Sequence, residues 1–412
     1  LWRISGGAFV VALGIGVAAV LEGAGQGTGD DITVHEWGTF TSVAGQDGRP
    51  IQWAPLDGPQ NLPCFVSQAT PGGEIKAVAN WVTFTPAAGG PAATPVSWRS
   101  TLRATVRMET PVLYFYSAHD AQVNVHIAFP QGLITEWYPQ ALAPGVSPNV
   151  DLSSYTGRLD WNGVKILPHA KATFPSDESL SHYYAARETD AAPVEVAGER
   201  ERFLFYRGVA AFPVPLDVRL AADGAVTIAK TGTAPVGATL LFQNHDGRLG
   251  YTLIDAFDRQ TTVSAPALTS DMQALGRDLE RLLVAQGLYP REAAAMVATW
   301  RDSWFEEGTR VIYLWPQAAI DARLPLTIQP APASTARVFV GRVEVVTPDD
   351  EAAVVSAIRR NDLKALTARG RWLEPIARRI LASATPAVTS AEVQTALRAV
   401  ADSATTHNNT CH

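Results

Sequence analysis

His35 and Glu36 stand side by side in the segment ITVHEWGTFTSV, and both side-chain types can do chemistry. On an extended strand they project to opposite faces, so they cannot act from one side. Glu36 shares a face with Val34, Gly38 and Phe40. Burial there would raise its pKa and suit an acid or a base, unless an arginine such as Arg103 or Arg107 neutralises it across the sheet. His35 lies beside Trp37 on the other face, as a ligand, a binding residue or an ordinary half-buried histidine.

His119, Asp120 and His126 form the densest local cluster. The first two fall in a hairpin turn and the third on the polar side of the returning strand. Imidazole and carboxylate groups placed this way can converge on a divalent metal such as zinc, with His35, His169 or His182 arriving from elsewhere in the chain. Turns also collect His and Asp for conformational reasons alone. No HExxH or other close histidine pair is present. His169, then His182-Tyr183-Tyr184 with Arg187, Glu188 and Asp190, occupy a long section with little periodicity. Ordered loops on a β scaffold often carry binding or catalysis. There a tyrosine could stack on a sugar ring and an arginine could hold an anion, or aromatic packing could simply pin the loop.

These residues point to a hydrolase assisted by a divalent metal. His35, His119, His126, His169 and His182 are its pool of ligands, and Glu36 or Glu188 moves the proton. The alternative is a non-catalytic envelope protein that binds a carbohydrate or another small ligand. Other chemistries lack their signatures: the chain has no GxSxG, no GxGxxG, no Walker loop and no CxxC. The net charge is −7 and basic residues are scattered, which argues against nucleic acid as a partner.

The elements that must position these groups are mainly strands. Hydrophobic residues make up 47% of the chain and charged residues 18%, with 28 Pro and 32 Gly, the composition of many strands joined by ordered turns. Alternation marks strands through residues 31–265, with a hairpin around AHDAQ, and predicts an antiparallel, sandwich-like β body. A further strand, or two short ones, is expected at residues 75–84. A helical or α+β section follows over residues 268–403. In it Met272, Leu275, Leu279, Leu282 and Leu283 form an apolar stripe behind a capping box at Ser270 and Gln273. Pro290 is a good first residue for the next helix, whose Trp300 and Trp304 should face the sheet. Strands at about 310–346 belong to a small α+β domain or add to the earlier sheet. Residues 404–412 read as a loose tail.

At the N-terminus Arg3 precedes an apolar run at residues 8–21, and small residues follow at 23–29. That is the order of a secretory signal over residues 1–25, or of a retained anchor, and it predicts an extracytoplasmic protein that meets a membrane only through this segment. In such a compartment Cys64 and Cys411 could pair, or remain two thiols. The stretch ITVHEWGTFTSVAGQDG, with RMETPVLYFYS, ITEWYPQ and FVGRVEVVTP, resembles segments of a group of uncharacterised proteins from environmental bacteria. The resemblance runs over most of the chain after the N-terminal segment. It implies a single exported architecture and carries no activity with it.

Overall fold

A computed structural model describes residues 31–56, 62–71, 73–76, 98–147, 149–177 and 181–408. The N-terminal segment 1–25, most of the strand expected at 75–84, and Cys411 lie outside them. β1 (Thr33–Gly45) leads to a short hairpin, β2 (Ser67–Thr70) and β3 (Gly73–Lys76), then to the single turn α1 (Trp98–Thr101). The run β4 (Val106–Tyr116), β5 (Ala121–Pro130), β6 (Gly132–Tyr138) and β7 (Thr156–Ile166) follows. After a 3-10 turn (His182–Arg187) come β8 (Val194–Val196), β9 (Glu199–Glu201), β10 (Leu204–Ala210), β11 (Leu216–Leu220) and β12 (Val226–Lys230). β13 (Thr239–His245), β14 (Arg248–Ile254) and β15 (Gln260–Val263) lead to the helices α2 (Met272–Ala285) and α3 (Pro290–Trp304). Next are β16 (Gly308–Trp315), α4 (Gln317–Arg323), β17 (Leu326–Gln329) and β18 (Ser334–Val346). The chain closes with α5 (Pro348–Arg360), α6 (Leu363–Thr367), a 3-10 turn (Gly370–Trp372), α7 (Leu373–Leu381) and α8 (Ser390–Asn408).

The fold is mostly β with C-terminal helices, as expected, but its main sheet is mixed. Fifteen strands join in one sheet whose path runs β14-β13-β16-β18-β1-β4-β10-β6-β7-β5-β17. β1 is antiparallel to β4. Along its other edge it is parallel to β18, in unbroken register from Thr33↔Ser334 to Gly45↔Val346. Parallel pairing belongs where both faces are covered, and β1 is buried on both from Val34 onward. The strands at 308–346 add to the sheet built earlier: β16 and β18 lie between β13 and β1. The only other sheet among the described residues, β11-β12-β15, has three strands. Its Val218, Val226 and Ile228 share a core with Phe40 and Phe339. On that face Gly341 is required, because a Cβ there would overlap the ring of Tyr313.

The opposite face is covered twice. Leu275, Leu279 and Leu283 of α2 and Trp300 and Trp304 of α3 pack on Trp37, Val112 and Val340, so the tryptophans face the sheet as expected. Asp271, not the Ser270–Gln273 pair, caps α2 by accepting from the Ala274 N–H at 2.7 Å. The second cover is the C-terminal helices, whose Val354, Ile376 and Ile380 pack with Val43 and Val346. Thr347 caps the first of them by accepting from the Asp350 N–H at 3.1 Å. Residues 404–408 continue α8, where a loose tail was expected, and 409–412 lie outside the described residues. Cys64 is disulfide-bonded.

Between the two covers lies a buried layer of charge. Glu109 is 1% exposed and ion-paired to Arg371, with Arg107 Nε at 3.4 Å and Arg342 Nη2 at 3.6 Å. Glu136 pairs with Arg99, and Arg310 Nε donates to Glu344 at 2.7 Å. Burial alone would raise the Glu109 pKa, but Arg371, Arg342 and Arg107 outweigh it and bring it down to about 2. A buried carboxylate with several guanidiniums around it is costly to remove, because the cations are then left without it. Glu109→Gln should therefore lower unfolding free energy by about 3–5 kcal/mol, read from urea denaturation at neutral pH.

Glu344 shows the opposite balance: burial outweighs Arg310 and Arg342 and pushes its pKa up to about 7. The native state then holds a proton that the unfolded chain has released above the ordinary carboxyl pKa of about 4.3. This contribution is full below that value and lost as pH rises through about 7. Across pH 5 to 8, wild type should thus lose stability relative to Glu344→Gln, by a few kcal/mol at most, measured as paired urea titrations.

Candidate functional site

β4 ends at Tyr116, and the chain turns through residues 117–120 into β5. Ser117 closes this turn: its hydroxyl donates to the His119 carbonyl at 2.7 Å and accepts the His119 N–H at 3.2 Å. The loop after β7 comes alongside, with His169 Nε2 3.0 Å from the Ala118 carbonyl. A carbonyl only accepts, so Nε2 carries the proton in this contact. These two segments, residues 190–193 ahead of β8, Asp31 and Arg202 enclose a pocket of about 440 Å³. Its polar side chains are Asp31, Tyr116, Ser117, Asp190 and Arg202, and the remaining lining is alanine and proline.

The polar groups are held from behind. Arg202 donates from Nη1 to the Ala191 carbonyl at 2.8 Å and lies over Phe174, its Cζ 5.1 Å from the ring centroid. Its Nε is buried with no hydrogen-bond partner among the described residues. Asp190 is ion-paired to Arg291 of α3. Tyr116 donates its hydroxyl to Glu292 Oε1 at 2.8 Å. The other oxygen, Oε2, accepts the Tyr289 N–H at 2.7 Å and lies 2.7 Å from His35 Nδ1. Glu292 is fully buried and His35 is 4% exposed. As a carboxylate Glu292 can only accept, which assigns the His35 proton to Nδ1 and leaves Nε2 as the basic nitrogen. Burial, then the nearby Glu292 charge and its hydrogen bond, raise the Tyr116 pKa far above the usual phenol value, so the ring stays a neutral donor.

Three of the expected pieces meet here: the 117–120 turn, the His169 loop and, through Tyr116 and Glu292, His35. Others do not. His119 is exposed on the turn. His126 Nδ1 is 2.5 Å from Asp160 Oδ1 of the neighbouring strand. It lies seven residues along β5 from His119, on the order of 20 Å at strand rise. His182 Nε2 is 3.5 Å from Asp302 of α3. Glu188 is exposed after the 3-10 turn, where its N–H donates to the Ala185 carbonyl. Glu36 is buried as read, but its arginine is Arg337 of β18 at 2.6 Å, not Arg103 or Arg107. It also accepts the Tyr206 hydroxyl. Arg187 holds Glu201, Nε to Oε1 at 2.9 Å, within a ring of aromatic side chains that includes Tyr184. The imidazoles of His35, His126, His169 and His182 thus meet four different partners, on Glu292, Asp160, Ala118 and Asp302. Among the described residues no group of three or more His, Cys, Asp or Glu side chains is placed to hold a metal ion.

Glu292, Tyr116 and Arg202 escaped the reading from sequence. Pro290 marks the start of α3, and an acidic residue two positions later is an ordinary helix-start signal. Nothing local says that this carboxylate also receives His35, 257 residues away. No family model matches the chain, and no curated protein matches it significantly.

Glu292 serves three donors and Tyr116 only one acceptor, which orders two substitutions. Tyr116→Phe should cost about 1.5–3 kcal/mol, the value of a hydrogen bond to a charged group. Glu292→Gln should cost more, since an amide cannot accept from all three with equal strength. Chemical denaturation of both variants checks the order.

Proposed function

We propose that this protein is an extracytoplasmic binding protein that takes a small polyhydroxylated molecule, of which a sugar is representative, into the pocket at the end of β4. One observation carries the reading: Tyr116, Ser117, Asp31, Asp190 and Arg202 line one pocket of about 440 Å³. An aromatic ring offers its face to the apolar side of a sugar, while carboxylates and a guanidinium bond its hydroxyls. The volume lies within the roughly 300–1,000 Å³ common for small-ligand sites. Two aspartates against one arginine disfavour a polyanionic ligand. The extracytoplasmic part of the reading rests on the signal-like order of the N-terminal residues and on the disulfide at Cys64.

A second reading, hydrolysis of the bound ligand, is favoured by the His35–Glu292 couple behind Tyr116. A carboxylate on Nδ1 fixes the tautomer in which Nε2 can accept a proton. Titration calorimetry with a panel of neutral mono- and disaccharides separates the possibilities. Binding by wild type, weakened at least tenfold in Tyr116→Ala and in Asp190→Asn, is the expected result. Release of product that His35→Ala abolishes while binding persists would favour hydrolysis. If no sugar in the panel binds wild type, the polyhydroxylated-ligand reading is lost.

A further inference from the structure

The pocket at the end of β4 has one guanidinium on its wall, and no carboxylate of the protein takes it. Arg202 follows β9, and its backbone N–H donates to Glu201 Oε1 at 2.7 Å. Glu201 itself is committed to the Arg187 guanidinium and the Tyr183 hydroxyl. The Arg202 side chain is placed by the Ala191 carbonyl, which takes Nη1, and by the Phe174 ring that it lies over. Nε and Nη2 are left without a hydrogen-bond partner among the described residues.

Those two atoms form the side-on fork of a guanidinium, whose parallel N–H bonds match the two oxygens of a carboxylate. Elsewhere in this chain the same fork holds carboxylates. Arg187 donates from Nε and Nη2 to the two oxygens of Glu201 at 2.9 and 2.6 Å. Arg310 does so to Glu344 at 2.7 and 3.2 Å, and Arg219 to Asp217 at 3.1 and 2.9 Å. Arg202 presents this fork at a cavity of about 440 Å³.

The acidic groups of the same pocket do not fill the place. Asp190 is ion-paired to Arg291 of α3, so its charge is already matched. Asp31 is solvent-exposed, where water and salt screen it. One unmatched guanidinium against one screened carboxylate admits a single negative group and resists several. The alanines and prolines beside them offer no further charge.

We propose that the ligand of this pocket is a sugar acid, a polyhydroxylated molecule with one carboxylate, seated on the Nε–Nη2 edge of Arg202. The hydroxyls then meet the two aspartates and the apolar side of the ring meets Tyr116. The assignment deepens the sugar-type reading of the pocket and rests on it.

Titration calorimetry on the full chain at neutral pH and constant ionic strength compares D-glucose with D-glucuronate and D-galactose with D-galacturonate. On wild type each uronate should bind about tenfold or more tightly than its neutral parent, the value of a hydrogen-bonded charge pair. In Arg202→Gln that preference should fall to about one. The methyl ester of glucuronate, which keeps the shape and removes the charge, should bind wild type no better than glucose. Glucuronate and glucose binding wild type equally would overturn the proposal and leave the sugar-type reading standing. So would an unchanged uronate preference in Arg202→Gln. An ester that binds wild type as tightly as free glucuronate would do the same, which decides the matter if Arg202→Gln fails to fold. If no sugar, neutral or acidic, binds wild type, the reading of the pocket is lost and the proposal with it.

Discussion

The carboxylate of Glu109 is the point on which the rest of this architecture turns. A central strand buried on both faces cannot send its polar residues to water. Here they meet one another instead, and Glu109 joins β4 to β18 through Arg342 and to the 3-10 turn before α7 through Arg371. Trp372 completes the contact by lying against Arg342, its ring centroid 5.0 Å from Cζ. Such pairs return little net stability compared with apolar residues of the same shape, since desolvation offsets most of the attraction. What they supply is a demand for one arrangement: a slipped register would pull these buried charges away from the groups placed opposite them. Glu36 with Arg337 and Glu344 with Arg310 repeat the device elsewhere on β1, β16 and β18.

The same strand carries the candidate site. β4 begins beside the charge layer and ends at Tyr116 on the pocket wall. Midway, Thr110 takes a positive φ of 46°, opposite the register shift between Trp37 and Thr39 of β1. A bulge of this kind re-aims the residues beyond it. Here it lets Glu109 enter the charge layer while Val112 and Tyr114 join the apolar core under α2 and α3. Tyr114 then donates its hydroxyl to the Ala186 carbonyl at 2.6 Å, tying the 3-10 turn to the sheet. The pocket is thus bounded by loops set on a rigid floor, the usual division of labour in a β scaffold.

What sequence could foretell followed from how local each signal is. The two faces of β1, the apolar stripe of α2 and the proline that opens α3 all depend on neighbours a few residues away, and each was legible. The hairpin read at AHDAQ does not form: β4 pairs with β1 and β10, while β5 pairs with β7 and β17. Partners brought by the sheet were not legible: Arg337 reaches Glu36 from 301 positions along the chain, and no periodicity encodes that. The histidines mark the same limit. Their chemistry is visible in the residue type, while what each imidazole touches depends on strand order, which placed Asp160 beside His126 and Glu292 beside His35. The mixed character of the sheet was hidden for a similar reason. A strand buried on both faces reads alike whether its neighbour runs parallel or antiparallel.

The pairing of β1 with β18 has a consequence in time. The first strand of the described chain finds its partner only after residue 346 exists, so the middle of the sheet is the last part that can be completed. Contacts so far apart along the chain make closure slow, and until then β1 presents an open hydrogen-bonding edge. During synthesis the seam between β1 and β18 would stay open until residues 334–346 have been made.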